Sequence, residues 1–146
     1  MKQIAIVLLI FTIGALVVAF RSQTNFEDKS SGIQFFKGSW EEALAKAKKE
    51  DKLIFLDAYA SWCGPCKAMK RKTFTDAKVG EHFNKYYVCV AIDMEEGEGP
   101  SLARKYAVDS YPSLMFLQPD GKFIGKAVGY HSPEELLNIL KQFVGQ

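Results

Sequence analysis

Two of the three cysteines in this 146-residue chain, Cys63 and Cys66, stand in the stretch YASWCGPCKAMK with only Gly64 and Pro65 between them. Such a pair could be a structural staple, half of a metal site or a redox centre. A staple across so few residues closes a tiny loop and constrains the unfolded chain very little. Zinc needs a full tetrahedral ligand set, and beyond the pair the chain offers only Cys89, His82 and His131, with no second CxxC and no paired histidines. Redox chemistry fits the pattern best. A helix that starts at the first cysteine presents unpaired N–H groups and a partial positive charge, which stabilise a thiolate and lower its pKa. The second cysteine, three residues on, lies on the same helix face, close enough to form a disulfide. Cys63 is then expected as the exposed attacking thiol, and Cys66, one turn in and more buried, as the thiol that resolves the mixed disulfide. Pro65 suits the first helical turn, where its missing N–H costs little.

Two further residues could serve that centre. Asp57 sits within LIFLDAY, where every near neighbour is apolar. A carboxylate buried in such a strand has a raised pKa, and its expected role is to accept the Cys66 proton through a water. Pro112 opens the otherwise good strand SYPSLMFL. There it fits a cis proline facing the cysteines, with neighbouring backbone free to pair with an incoming peptide.

The elements that must position these residues follow from periodicity and caps. IQFF (33–36) reads as a short strand. SWEEALAKAKKE (39–50) is a helix, with Ser39 and Glu42 forming a capping box. KLIFLDAYA (52–60) has the continuous apolar run of a strand buried on both faces. CKAMKRKTF continues as a helix, DAKVGEHFNKY forms a short one, and YVCVAID (87–93) is a second buried strand. SLARKYAV (101–108) is helical. SYPSLMFL (110–117) and FIGKAVGY (123–130) form a hairpin around the turn QPDGK. SPEELLNILKQFV (132–144) closes the chain as a helix capped by Ser132. Helices that alternate with strands early, with a hairpin and a helix to finish, predict an α/β fold with a mixed central sheet flanked by helices on both faces.

Length and charge agree with one such domain. The chain can bury one proper core, and its net charge of +2 makes no case for nucleic acid. The lysines of AKAKKEDK and CKAMKRK read as solvated faces, and Cys89 as a small buried hydrophobe in its strand. Residues 1–20 stand apart. The apolar run Ile4–Phe20 has 17 residues, which suits a signal-peptide core or a short retained membrane anchor. Val17 and Ala19 fit the −3 and −1 positions of a cleavage site, and no cysteine is at hand for a lipid anchor. Residues 21–32 read as a polar linker, and the domain is expected over 33–146. Either reading of the leader sends that domain out of the cytoplasm, periplasmic or tethered to the inner membrane.

Taken together, DAYASWCGPCK, the later SYPSLMFL and the glycine of AVGY resemble the thioredoxin family over about residues 35–144. Trp-Cys-Gly-Pro-Cys-Lys with an aspartate six residues upstream and a proline about 46 residues after the second cysteine is a specific combination. The resemblance implies a thioredoxin fold, a Cys63–Cys66 redox-active disulfide, Cys63 as nucleophile, Cys66 as resolving thiol, Asp57 as buried base and Pro112 as cis proline. It places Trp62, Gly64, Pro65, Tyr111 and Gly129 along a substrate groove, and it implies no cofactor and no metal. The segment KTFTDAKVGEHFNKYYVCVAIDMEEGEG looks like the exported thioredoxin-like domains that take electrons from, or belong to, membrane thiol-reductant transporters. Two departures stand out. The buried lysine that many thioredoxins carry four residues before the aspartate matching Asp93 is replaced by Cys89, and the residue before the proline is the bulky Tyr111. The expected function is reduction of protein disulfides outside the cytoplasm, with a membrane thiol-reductant transporter as electron donor. A disulfide oxidase or isomerase and a non-catalytic client-binding module are the alternatives.

Overall fold

The computed structural model describes residues 32–143. The expected export segment or anchor (1–20), all of the expected linker except Gly32, and residues 144–146 lie outside the described residues. The elements run α1 (Trp40–Glu50), β1 (Leu53–Tyr59), α2 (Gly64–Lys72), α3 (Ala77–Tyr86), β2 (Tyr87–Asp93), α4 (Gly99–Lys105), β3 (Ser113–Leu117), β4 (Phe123–Val128) and α5 (Pro133–Leu140). The strands form one mixed sheet in the order β2-β1-β3-β4, with β1 parallel to β2 and antiparallel to β3, and β3 antiparallel to β4. This is the thioredoxin fold, four strands flanked by five helices.

Local chemistry starts and stops each helix. Ser39 caps α1 by accepting from the Glu42 N–H, while Glu42 reaches back to the Ser39 N–H at 2.8 Å. Asp51 ends α1 in the left-handed region at φ 51°. Asp76 caps α3 by accepting from two backbone N–H groups, and Ser132 with Glu135 repeats the capping box on α5. α4 begins two residues before the expected start, because Pro100 suits its first turn, and ends where Ala107 turns to φ 50°.

The strand expected at 33–36 reduces to one parallel bridge, Phe35 to Cys89. Its backbone is committed elsewhere: the Ile33 N–H donates to the Phe74 carbonyl and the Gln34 N–H to the Asn84 side chain. Gly80 permits this path, since a Cβ there would collide with the Gly32 carbonyl. β3 starts at Ser113, not 110, because Pro112 has no N–H for the ladder. β4 ends at Val128, and the last helix stops at Leu140 and passes into turns.

β1 is the middle of the sheet, and its alternation divides the core. Ile54, Leu56 and Ala58 face α1 and α4 in one apolar cluster with Val88, Val90, Met115 and Leu117. Phe55 faces the other way, among Met69 of α2, Phe83 of α3, Phe116, and Leu136 and Leu140 of α5. Asp57 and Tyr59 share Phe55's parity, so the chain's one polar residue inside β1 points to the side that α2 covers. Phe55 is fully buried and meets Phe83 edge-on at 4.6 Å between ring centres. Phe55→Ala should cost about 3–5 kcal/mol, read as a lower urea midpoint with the disulfide intact.

Candidate active site

β1 delivers the cysteines. After Tyr59 the chain turns, with the Cys63 N–H donating to the Ala60 carbonyl at 3.0 Å, and α2 begins at Gly64. Cys63 is the N-cap residue of α2, and its Sγ accepts the N–H of Cys66 at 3.1 Å. A sulfur thus occupies the position that a Ser or Asp oxygen usually takes at a helix start. Pro65 lies in the first turn. Cys63 and Cys66 form a disulfide, with Cα atoms 5.4 Å apart.

The expected difference in exposure between the two sulfurs is absent. Cys63 is 2% exposed and Cys66 6%, so the N-terminal cysteine is not the open one. In the disulfide both pack with Ala60 against Tyr59 and Tyr111. What separates them is electrostatic: Cys63 Sγ sits at the positive end of the helix and already accepts a helix N–H, which would hold a thiolate there.

Trp62 is 66% exposed, and its indole N–H donates to Glu95 at 2.8 Å. Its ring meets Tyr111 edge-on at 6.0 Å, so Glu95, Trp62 and Tyr111 form a chain of contacts ending at the disulfide. The Tyr111–Pro112 peptide bond is cis. The Pro112 carbonyl accepts from the Gly129 N–H at 2.9 Å, so that acceptor is taken. Gly129 adopts φ 93°, which favours glycine, and exposed Val128 and Tyr130 flank it. Gly64 and Pro65 are exposed at the start of α2. Tyr111 therefore packs on the cysteine pair with Trp62 against it, and Gly129 is tied by its N–H to the Pro112 carbonyl next along the chain. Glu95 was not singled out by sequence; the acidic run after β2 was its only signal. Asp93 braces the same loop by accepting from the backbone N–H groups of Ser61 and Glu95.

Asp57 lies on the inner side of α2. It is 6% exposed, and its Oδ1 makes no hydrogen bond to another protein group. It lines a cavity of about 510 Å³ together with Cys66, Lys67, Lys70 and Phe74. Burial pushes its carboxyl up to about 7, with the Lys70 ammonium pulling the other way. The position where many thioredoxins carry a lysine, Cys89, pairs with Phe55 and points into the apolar cluster. Its thiol lies 3.9 Å from the Phe83 carbonyl, and burial pushes it far up. Cys89 packs in the core, and the cations that line the Asp57 cavity, Lys67 and Lys70, come from α2. His82 and His131 each leave Nε2 unpaired, and no group of His, Cys, Asp or Glu among the described residues could hold a metal ion.

A family model described as a thioredoxin-like domain matches residues 40–144. A tobacco (Nicotiana tabacum) thioredoxin of the H type is 35% identical over 103 residues, covering 70% of this chain and 81% of that protein. The solution structure of a provisional disulphide-isomerase from Bacteroides thetaiotaomicron is 41% identical, with a TM-score of 0.71 over 80% of this chain and 97% of that one. A thioredoxin from Thermus thermophilus shares the fold at 24% identity and a TM-score of 0.67, covering 76% and 86%.

The buried carboxyl carries a stability consequence. Its folded-state pKa of about 7 lies above the carboxyl's ordinary value of 3.8, so the native state binds the proton more tightly than the unfolded chain does. The penalty for burying the ionised form grows from about pH 4 and is fully present above about pH 7. Asp57→Asn removes it. The variant should exceed the parent by about 4 kcal/mol at pH 8, with the difference vanishing towards pH 4, read by urea unfolding of the oxidised proteins at both pH values.

Proposed function

The chain belongs to the thioredoxin-like family, a disulfide oxidoreductase with a Cys63–Cys66 disulfide, and from that premise we propose a protein-disulfide reductase working outside the cytoplasm. Thioredoxin-like proteins act on protein thiols and disulfides; the direction and the place are our reading. The observation that carries it is Cys63 Sγ at the N-cap of α2, accepting the Cys66 N–H. A thiolate there is favoured by the helix end, and the intervening Gly-Pro resembles the reducing members, whose potentials lie near about −270 mV.

The cycle follows. In the reduced protein the Cys63 thiolate attacks a client disulfide. One client sulfur leaves as a thiolate, and a mixed disulfide forms on Cys63. Asp57, ionised, takes the Cys66 proton through water in their shared cavity. The Cys66 thiolate then attacks Cys63 Sγ, the second client sulfur leaves with its electron pair, and the intramolecular disulfide closes. The client gains two electrons and the protein loses two. Trp62, Tyr111, Gly129 and the open start of α2 at Gly64 and Pro65 form the surface on which the client lies, with Pro112 beside the sulfurs. Resetting the pair outside the cytoplasm needs a dithiol donor, for which a membrane thiol-reductant transporter is our candidate. The leader Ile4–Phe20 supports export; no helix among the described residues is long and apolar enough to cross a membrane.

The Bacteroides relative favours a second reading, disulfide isomerisation, which uses the same Cys63 attack without net electron transfer. Four measurements test these readings. Insulin should be reduced at the expense of dithiothreitol by the parent and not by Cys63→Ser; equal turnover would end the enzyme assignment. A potential near about −270 mV supports the reductase, whereas one near about −120 mV makes the protein an oxidant. A reporter enzyme active only outside the cytoplasm, fused after Gln146, should be active, and an inactive fusion removes the location. Cys66→Ala should trap the client as a mixed disulfide.

A further inference from the structure

The cavity behind the disulfide contains an element that the sequence signature does not predict. Cys66, Lys67 and Lys70 reach it from α2, and Asp57 from β1. Cys66 and Lys70 stand one helical turn apart on the same face. Lys70 is itself exposed, so it stands at the solvent edge of a space whose inner wall holds a carboxylate oxygen without a protein partner. We propose that Lys70 is a positioning residue for the resolving step: its ammonium, across the cavity, favours the charged form of Asp57 that takes the Cys66 proton. This rests on the reading of Cys66 as the resolving thiol.

The other groups facing Asp57 leave this task to Lys70. β1 adds Tyr59, a phenol whose pKa is raised by burial. β2 presents Ala91 across from Asp57, β3 presents Leu114, and the leading segment contributes Ile33 and Phe35, none of them charged. Lys67 lines the same space, but Lys70 is the cation that acts against burial on the Asp57 carboxyl. The lysine that many thioredoxins carry in the strand is Cys89 here, turned into the core. The compensating charge has moved from the sheet to the helix that bears the cysteines. Being exposed, it is open to screening by salt, unlike a charge inside the sheet.

The step is Cys66–SH + Asp57–COO⁻ → Cys66–S⁻ + Asp57–COOH, followed by attack on Cys63 Sγ. The bond between Cys63 and the other sulfur breaks, and that sulfur leaves with the electron pair. Ellman's disulfide isolates it. Mixed with the reduced protein, it releases one thionitrobenzoate as Cys63 attacks and a second as Cys66 resolves, independently of client or physiological direction. In stopped flow, Lys70→Met should slow the second release at pH 6 by roughly three- to tenfold, the loss expected if Asp57's pKa rises by up to about one unit. At pH 9, where Asp57 is ionised in either protein, the two should agree within about twofold, and Lys70→Arg should restore the parental profile. High salt should slow the parent at pH 6 and leave Lys70→Met unchanged. A parental pH profile in Lys70→Met, an arginine variant no better than methionine, or a parent insensitive to salt would each overturn the proposal. A second release that persists in Cys66→Ala would instead remove the resolving role of Cys66, and the proposal with it. Failure to reduce insulin with the Lys70 effect intact would count against the reductase alone.

Discussion

β1 is hydrogen-bonded along both edges, to β2 on one side and β3 on the other, and is covered by helices on both faces. A side chain in its middle has no route to water except one left by the packing. That constraint accounts for the apolar run of LIFLDAY, and it makes Asp57 the costly exception. The strand also ends where α2 must begin, so the carboxylate and the cysteine pair are tied to one rigid element. Their relation is set by the short turn between β1 and α2, which the Cys63 N–H closes on the Ala60 carbonyl.

Two electrostatic poles follow from it. At the mouth of the site, the N-terminus of α2 offers N–H groups and positive potential to Cys63 Sγ. Behind it, Asp57 lies in a low-dielectric pocket that raises its affinity for a proton. The two sulfurs are nearly equal in burial, so accessibility cannot assign their roles in the disulfide state. The field along the first turn of α2 distinguishes them: one sulfur faces the helix end and the other faces the cavity that holds the carboxylate.

The surroundings depart from the family pattern in linked ways. With Cys89 in the core, β2 supplies no charge to Asp57, and the lysines of α2 border the cavity in its place. With the leading segment held to the Phe74 carbonyl and Asn84, its ladder shrinks to a single bridge, and Ile33 and Phe35 become walls of that same cavity. On the opposite side, Glu95 fixes the indole of Trp62, which leans on Tyr111 over the disulfide. The bulky residue before the proline thus acts as a brace for the exposed tryptophan.

Much of this was legible in the chain itself, because local physics writes it there. The capping boxes at Ser39 and Ser132, the apolar run of β1, the turn around Gly121 and the Cys-Gly-Pro-Cys helix start depend on neighbours within a few residues. So the elements and their order could be read, along with Asp57 as a buried carboxyl. Four features could not be read. The segment 33–36 has the composition of a strand, but the N–H groups of Ile33 and Gln34 are taken by Phe74 and Asn84, residues distant in sequence. Cys63 was expected to be exposed, but Tyr59 and Tyr111 converge on it only in the folded chain. Glu95 and Lys70 look like ordinary surface charges until the fold brings one to the Trp62 indole and the other to the Asp57 cavity. Sequence determined the helices, most of the strands and the Cys-Gly-Pro-Cys helix start, since backbone propensity and capping are local. The tertiary structure decided which charges and rings surround them, since burial and Coulomb interactions act through space between residues that the chain keeps far apart.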